Sequence, residues 1–355
     1  MQNLYFYQAH LDRVSRSFAF CIRKLEAPFR TRVSLSYLLC RILDTIEDSP
    51  WEDGIKRDRQ YDEFEKFLFS FPIRSQVDAW SSCFPHSIPE GESILLRDAA
   101  TLFEDLHGMP DSVQNDIRST VMRMSQGMRH YSLRQDHHGC LRLVDLPDVN
   151  RYCYFVAGIV GELMTRLYVS SRPDFRPKQE QLKNAFHFGL FLQKVNLLKD
   201  QRGDEDEGRY LVPNRGLLLA SLQNNARGGI RYLTSLPVDE RGYRTFCAWS
   251  LFLGLASLPF IRQAFTGNSR AKITRVETQA LLAEIEECVL DNEALEKYGA
   301  ELLSLLSEDS SPEGSDADSI ETNLPDEGAW FYQASGGGLA RNDLVELGID
   351  ERVSS

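Results

Sequence analysis

An all-α fold follows from three features of this 355-residue sequence. Apolar residues recur at three- and four-residue steps through six long segments. Strict apolar/polar alternation is scarce, and no glycine-rich phosphate loop follows a strand. Pro and Gly fall mostly between the periodic segments, where turns belong. Ten or more helices are expected.

Taken in order, LDRVSRSFAFCIRKL (11–25) reads as one helix. RVSLSYLLCRILDTIED (32–48) carries Asp44, Glu47 and Asp48 directly behind its apolar residues. Spacings of i, i+3 and i+4 put these three carboxylates on one side of a helix, where they repel unless a cation joins them. Either a solvated acidic turn or a cation site satisfies that pattern. RDAATLFEDLHGM (97–109), DVNRYCYFVAGIVGELMTRLYV (148–169) and LKNAFHFGLFLQKVNLLKD (182–200) follow. The last two are apolar around most of their circumference, which places them at the centre of a bundle. The small residues Ala157, Gly158, Gly161, Gly189 and Gly254 either let backbones approach or leave room for an apolar guest. FCAWSLFLGLASLPFI (246–261) has 16 residues and contains Pro259. That is short for a membrane span and reads as a core helix. TQALLAEIEECVLDNEALEKYGAELLSLL (278–306) closes the helical pattern.

Composition is that of a soluble globular protein, 42% hydrophobic and 26% charged. A net charge of −12 argues against nucleic-acid binding, which needs a basic stripe. Seven scattered Cys without a C-x-x-C pair suggest free thiols in a reducing cytoplasm. MQNLYFYQAH lacks the features of a signal peptide, and no transmembrane anchor is expected. Residues 308–355 read as a separate acidic, disordered tail: eight acids fall between Glu308 and Glu327 with no Lys or Arg.

A second acidic group, KVNLLKDQRGDEDEGRYLVP (194–213), places Asp200 and Asp204 at i, i+4, again behind an apolar helix. Carboxylate oxygens are hard ligands, and Mg²⁺ is commonly held by one or two of them together with phosphate oxygens and water. Two such clusters facing each other would hold several Mg²⁺ ions and a diphosphate. Arg16, Arg41, Lys199, Arg202 and Arg209 stand beside them, with Lys272 and Arg275 further on. Together they describe a site for a pyrophosphate leaving group, with an apolar cavity to shelter the carbocation left behind.

SRSFAF (15–20), YLLCRILDTIED (37–48), YCYFVAGIVGEL (152–163), GLFLQKVNLLKD (189–200), EGRYLVP (207–213) and FCAW (246–249), in that order, resemble the squalene/phytoene synthase family. FLQKVN looks more like the squalene synthase branch. The resemblance implies an isoprenoid synthase fold over residues 1–307, a single large helical bundle with a central active-site cavity. It also implies Mg²⁺-dependent head-to-head condensation of two farnesyl diphosphates to presqualene diphosphate, then NADPH reduction to squalene. By motif, Asp44, Glu47, Asp48, Asp200 and Asp204 would bind Mg²⁺. Ser15, Arg16, Tyr37, Arg41, Lys199, Arg209 and Lys272 would contact diphosphate. Tyr152 would assist proton removal, while Phe18, Gln193, Asn196 and Phe246 would line the prenyl cavity.

Read without the family, Tyr152, Phe18 and Phe246 are ordinary core aromatics, and Cys40, Cys153 and Cys247 are small core hydrophobes. His137 and His138 sit in a polar loop without metal-ligand spacing. Three positions depart from the family pattern. Gly203 replaces a usual Glu and should weaken the helix end, with Glu205 or Asp206 able to compensate. Lys199 replaces Arg, and Tyr154 and Phe155 stand where animal-type enzymes carry His and Tyr. A non-reducing member (making presqualene diphosphate, hydroxysqualene, dehydrosqualene or phytoene) and a non-catalytic binding protein are the rival readings. A monomer in the cytoplasm is expected, with peripheral membrane contact for product release.

Overall fold

The computed structural model describes residues 3–15, 17–265 and 273–307, so Arg16, Lys272 and the acidic tail lie outside it. The chain divides into two compact units. Among the described residues, one holds the chain up to Gln135 together with Leu163–Arg176; the other holds Asp136–Glu162 and Pro177–Ser307.

The first unit contains α1 (Leu4–Val14), α2 (Ser17–Ile22), α3 (Phe29–Asp48), α4 (Gly54–Phe69), α5 (Arg74–Ser81), α6 (Glu90–Arg97), α7 (Ala99–His107) and α8 (Asp111–Leu133). The segment expected as one helix over 11–25 is broken. Ser15 is extended (φ −147°, ψ 114°), and its Oγ accepts from Phe18 N at 3.2 Å, as a residue that opens a new helix does. In α3, Leu35, Leu38, Leu39, Ile42, Leu43 and Ile46 are fully buried, which leaves the opposite face for polar groups. Phe64, Trp80 and Phe103 pack edge-on or tilted nearby, with Phe64 and Phe103 centroids 5.4 Å apart.

The next elements are β1 (Leu141–Arg142), α9 (Leu146–Cys153), a π-helical turn at Tyr154–Gly158, and α10 (Ile159–Ser171). After them come α11 (Gln179–Asp206), β2 (Arg209–Tyr210), α12 (Arg215–Ser235), α13 (Arg241–Phe265), α14 (Arg275–Cys288) and α15 (Asn292–Ser307). Local chemistry sets their starts. Asp145 accepts from Asp148 N with Pro147 just inside α9, Asn214 accepts from Leu217 N, and Thr274 and Glu277 form a capping box. The helix read over 148–169 contains the π turn, and the one read over 278–306 breaks before Asn292. β1 and β2 pair in parallel, Leu141 with Arg209 and Arg142 with Tyr210.

The small residues of the second unit serve close approach. A Cβ on Gly158 would meet Phe186 at 2.7 Å, one on Gly161 the Ala185 carbonyl carbon at 2.7 Å, and one on Gly189 the Gly158 Cα at 2.9 Å. α11 therefore crosses the π turn and the start of α10 almost backbone to backbone. The apolar run 246–261 lies within the longer α13, which has Pro259 inside it. By length and composition α13 could cross a membrane, yet 67% of its apolar window is buried in the fold. α11 does not end at Gly203 but runs on to Asp206, and a Cβ at Gly203 would meet nothing within 4 Å.

Candidate active site

In the first unit the structure gathers most of the expected residues around the C-terminal half of α3. Tyr37, Arg41 and Asp44 succeed one another at turn spacing, and the Phe18 ring lies 5.9 Å from that of Tyr37. Burial pushes the Tyr37 hydroxyl up to about 12, against the opposing effect of a hydrogen bond with the buried Ser15. Tyr37 is therefore a neutral hydrogen-bonding group at neutral pH. Arg41 Nη1 stands 3.6 Å from Asp44 Oδ2, and its Nη2 donates to Glu92 at 2.5 Å. Asp44 and Glu47 are half-exposed and Asp48 is exposed, so the acidic face is open to solvent.

In the second unit Tyr152, 2% exposed, comes from α9 and Arg209 from β2. Arg209 Nη2 donates to the Tyr152 hydroxyl at 3.0 Å. The short β1–β2 pairing fixes Arg209 in register, and the Arg142 guanidinium covers the Tyr210 ring at 3.6 Å from its centroid. A guanidinium donating to a phenol oxygen stabilises negative charge that develops there. Further along α11, Lys199 Nζ lies 3.2 Å from Asp200 Oδ2 and 3.3 Å from Asn196 Oδ1. Asp204 is half-buried, one turn beyond Asp200. Gln193 is half-exposed on the same helix. Phe246 is buried in α13, its ring centroid 6.2 Å from that of Tyr243. Glu205, a possible substitute for the acid missing at 203, instead accepts from Gln201 at 2.6 Å. Arg202 is spent on the Ala264 carbonyl at 3.1 Å.

Sequence reasoning missed two charged residues. Glu92 comes from α6 and left no motif to find. Lys194 was visible as a lone lysine in an apolar stretch; it is fully buried, and its Nζ donates to Ser221 Oγ at 2.6 Å and Asn225 Oδ1 at 2.7 Å. Asn225 bonds onward to His187 Nδ1 at 2.8 Å. Burial, with the charges of Lys183, Arg231 and Lys194, brings the His187 imidazole down to about 4.

Both acidic clusters suit a hard divalent cation. Each occupies the C-terminal end of its helix, and neither α3 nor α11 has a basic residue in its last turn. That end of a helix is already negative, so carboxylates there are destabilised until a cation arrives. Among the described residues no three His, Cys, Asp or Glu converge tightly enough to hold a metal unaided. Mg²⁺ does not require it, since water and substrate phosphate complete its shell.

Comparison with known proteins finds relatives in both sequence and fold. The Schizosaccharomyces pombe squalene synthase is 32% identical over 207 residues, 57% of this chain and 42% of that protein. The Rattus norvegicus squalene synthase is 31% identical over 204 residues, 58% of this chain and 45% of that protein. That of Eremothecium gossypii is 28% identical over 293 residues, 75% and 63%. The chain thus spans less than two thirds of each of these relatives. In fold, it resembles TcSQS solved with a bound ligand (TM-score 0.71, 24% identity, 94% of this chain and 99% of that one). A ligand-bound dehydrosqualene synthase is more distant (TM-score 0.53, 18% identity, 81% and 96%). The family model for squalene/phytoene synthase matches residues 11–277, which include every described candidate residue. By that match, and with an all-helical fold to carry it, the chain belongs to the squalene/phytoene synthase family.

Proposed function

We propose that this protein is a squalene synthase, with residues 1–307 as its catalytic portion, joining two farnesyl diphosphates head to head and reducing the product. The observation that carries the reading is the hydrogen bond from Arg209 to Tyr152. It joins a cation expected at diphosphate to the hydroxyl expected to move a proton, from motifs 57 residues apart in sequence. The names of the relatives, squalene synthase in each case, support the same substrate and product.

Asp44, Glu47 and Asp48 on α3, with Asp200 and Asp204 on α11, would hold Mg²⁺. A divalent cation held there would supply charge neutralisation for the diphosphate leaving group. The chain's own residues do the rest. Arg41, Lys199 and Arg209 supply fixed cations to the departing oxygens, and Ser15 and Tyr37 supply neutral donors. On cyclopropane closure to presqualene diphosphate, the Tyr152 hydroxyl would accept the proton lost from carbon as it passes its own to an oxygen of the released diphosphate. Arg209 stabilises partial negative charge on the phenol oxygen during the transfer. Phe18, Gln193, Asn196 and Phe246 would border the prenyl chains. NADPH is the proposed hydride donor for the second half-reaction. All seven cysteines are free, which supports a reducing, cytoplasmic setting. The reading is of a monomer that meets the membrane surface to release an apolar product.

The test is product analysis by mass spectrometry with farnesyl diphosphate and Mg²⁺, with and without NADPH. Squalene formed only with NADPH is the expected result. Presqualene diphosphate, dehydrosqualene or an alcohol irrespective of NADPH would replace the reductive half, and no turnover of any prenyl diphosphate would refute the enzymatic reading.

A further inference from the structure

Three large apolar side chains of the first unit face water between residues 69 and 73: Phe69 is 57% exposed, Phe71 70% and Ile73 57%. The other large exposed apolar residues among the described ones stand singly along the chain, as is ordinary for a soluble surface. The trio belongs to a fixed loop. α4 ends at Phe69, and Ser70 and Ile73 are both extended, with Ser70 N–H closing the helix on the Lys66 carbonyl at 2.8 Å. Extended backbone alternates its side chains, so Pro72 is buried while Phe71 and Ile73 face out together. Both ends of the loop are tied to α7. His107 Nε2 donates to the Phe67 carbonyl at 3.1 Å, with its ring 5.5 Å from that of Phe71. Arg74 Nη2 donates to Glu104 at 2.6 Å.

Size and charge decide what fits there. At roughly 200 Å² for a whole large apolar side chain, the three leave about 350 Å² of apolar surface to water. That is less than half of the ~800 Å² per partner that a stable protein interface needs. A bilayer demands neither that area nor a complementary shape, and a few apolar side chains at its interface give reversible attachment. The segment KFLFSFPIRSQV (66–77) holds two cations and no acid, in a chain of net charge −12. Lys66 and Arg74, 64% and 51% exposed, flank the trio, and their pairs with Glu63 and Glu104 are of the exposed, weak kind. An apolar tip between two long basic side chains matches an acyl boundary lying beneath phosphate headgroups.

We propose that the loop from Phe69 to Ile73 is where this protein attaches reversibly to a phospholipid bilayer, with Phe69, Phe71 and Ile73 entering the boundary between headgroups and acyl chains. This rests on the reading of a protein that meets the membrane to release an apolar product, and it names the surface that does so. Lys66 and Arg74 stay at the level of the phosphates.

The experiment is flotation of the full-length chain with phosphatidylcholine vesicles, alongside thermal melts and sedimentation velocity. Phe71→Ser is expected to lower the vesicle partition coefficient about tenfold, and adding Phe69→Ser about tenfold more, with the melting temperature unchanged. Val276→Ser, which removes an apolar side chain 75% exposed on α14, is expected to change nothing. Phe71→Trp should keep binding and add an emission that moves to the blue on vesicles and is quenched by brominated lipids. Serine variants that float as well as the parent, an added emission that does not shift, or an equal loss in Val276→Ser overturns the proposal and leaves membrane contact to another surface. A parent that does not bind vesicles at all refutes the membrane reading itself, and the loop's role falls with it. Self-association of the parent that the serine variants abolish would assign the loop to a second copy of the chain and overturn the proposal as well.

Discussion

Gly189 and Gly203 lie on the same helix, and replacing each by alanine should move stability in opposite directions. A Cβ on Gly189 would stand 2.9 Å from the Gly158 Cα and 3.0 Å from the Ala157 carbonyl carbon, and nearer still to that carbonyl's oxygen. These are backbone atoms, with no rotamer to escape into, and ordinary contact begins near 3.4 Å. The crossing must open by at least half an ångström, which also unseats Gly161 from Ala185. Overpacking of this kind costs about 1–3 kcal/mol, and an immovable neighbour puts Gly189→Ala toward the top of that range even after alanine's better helix propensity. For a unit of this size that is a fall of about 5–10 °C in melting temperature. At Gly203 the same methyl meets nothing within 4 Å, so only the propensity gain, up to about 1 kcal/mol, remains. Melts followed by circular dichroism at 222 nm, with denaturant titration to confirm the order, decide the matter. Equal melting temperatures for the two variants, or a stable Gly189→Ala, would show that α11 and the π turn do not cross as described.

Asp44→Asn and Asp200→Asn should each reduce turnover of farnesyl diphosphate at least a thousandfold while shifting the melting temperature little, since both side chains are substantially exposed. Near-normal product formation by either would dismiss its assigned metal role. Arg209→Gln removes a charge-assisted bond of about 1.5–3 kcal/mol, so steady-state assays should show kcat down ten- to a hundredfold. Adding Tyr152→Phe should then cost far less than it does in the parent, and additive losses would separate the two residues. His187 gives a pH signature. Its folded-state value of about 4 lies below the ordinary 6.5, so between those values the unfolded chain binds more protons and stability falls as pH falls. The loss is on the order of 3 kcal/mol by pH 4, read as a declining melting temperature, and His187→Gln should flatten that slope.

What the sequence made legible depended on periodicity. α3 and α11 bury nearly unbroken apolar faces, and the acids behind those faces could be assigned to helix ends without coordinates. α8 did not stand out, because Arg, Gln, His and Ser occupy much of its surface and dilute the repeat. The break at Ser15 was hidden because an apolar spacing persists across it, while a single side-chain hydrogen bond to Phe18 N restarts the helix. The π turn after Tyr152 was equally invisible, since one extra residue per turn leaves no compositional mark. The site divides in the same way. Asp44 follows from helical spacing and Arg41 from its place beside it on the same helix, whereas Tyr37 was a candidate only through the family resemblance. Arg209 and Tyr152 meet only because a two-residue strand pairing brings β2 beside α9, and Glu92 reaches Arg41 from a helix 51 residues away in sequence.

The helix ends show how the fold separates stability from function. At the ends of α12 and α14, the fully buried Arg244 donates to the carbonyls of Leu233, Leu236 and Val289 and to Asn292 Oδ1. A cation on those terminal carbonyls is what helix electrostatics favours, and it pins the core of the second unit. At the ends of α3 and α11 the chain does the opposite, placing Asp44, Glu47 and Asp48, and then Asp200 and Asp204, where the helices are already negative. Each such carboxylate costs some tenths of a kcal/mol in the resting protein. Under the proposed function a divalent cation would reverse the sign of that interaction, so the resting penalty would become part of its affinity. The helices that carry Arg244's partners are built to stay put, and under the proposed function the two that end in acids would hold the cation.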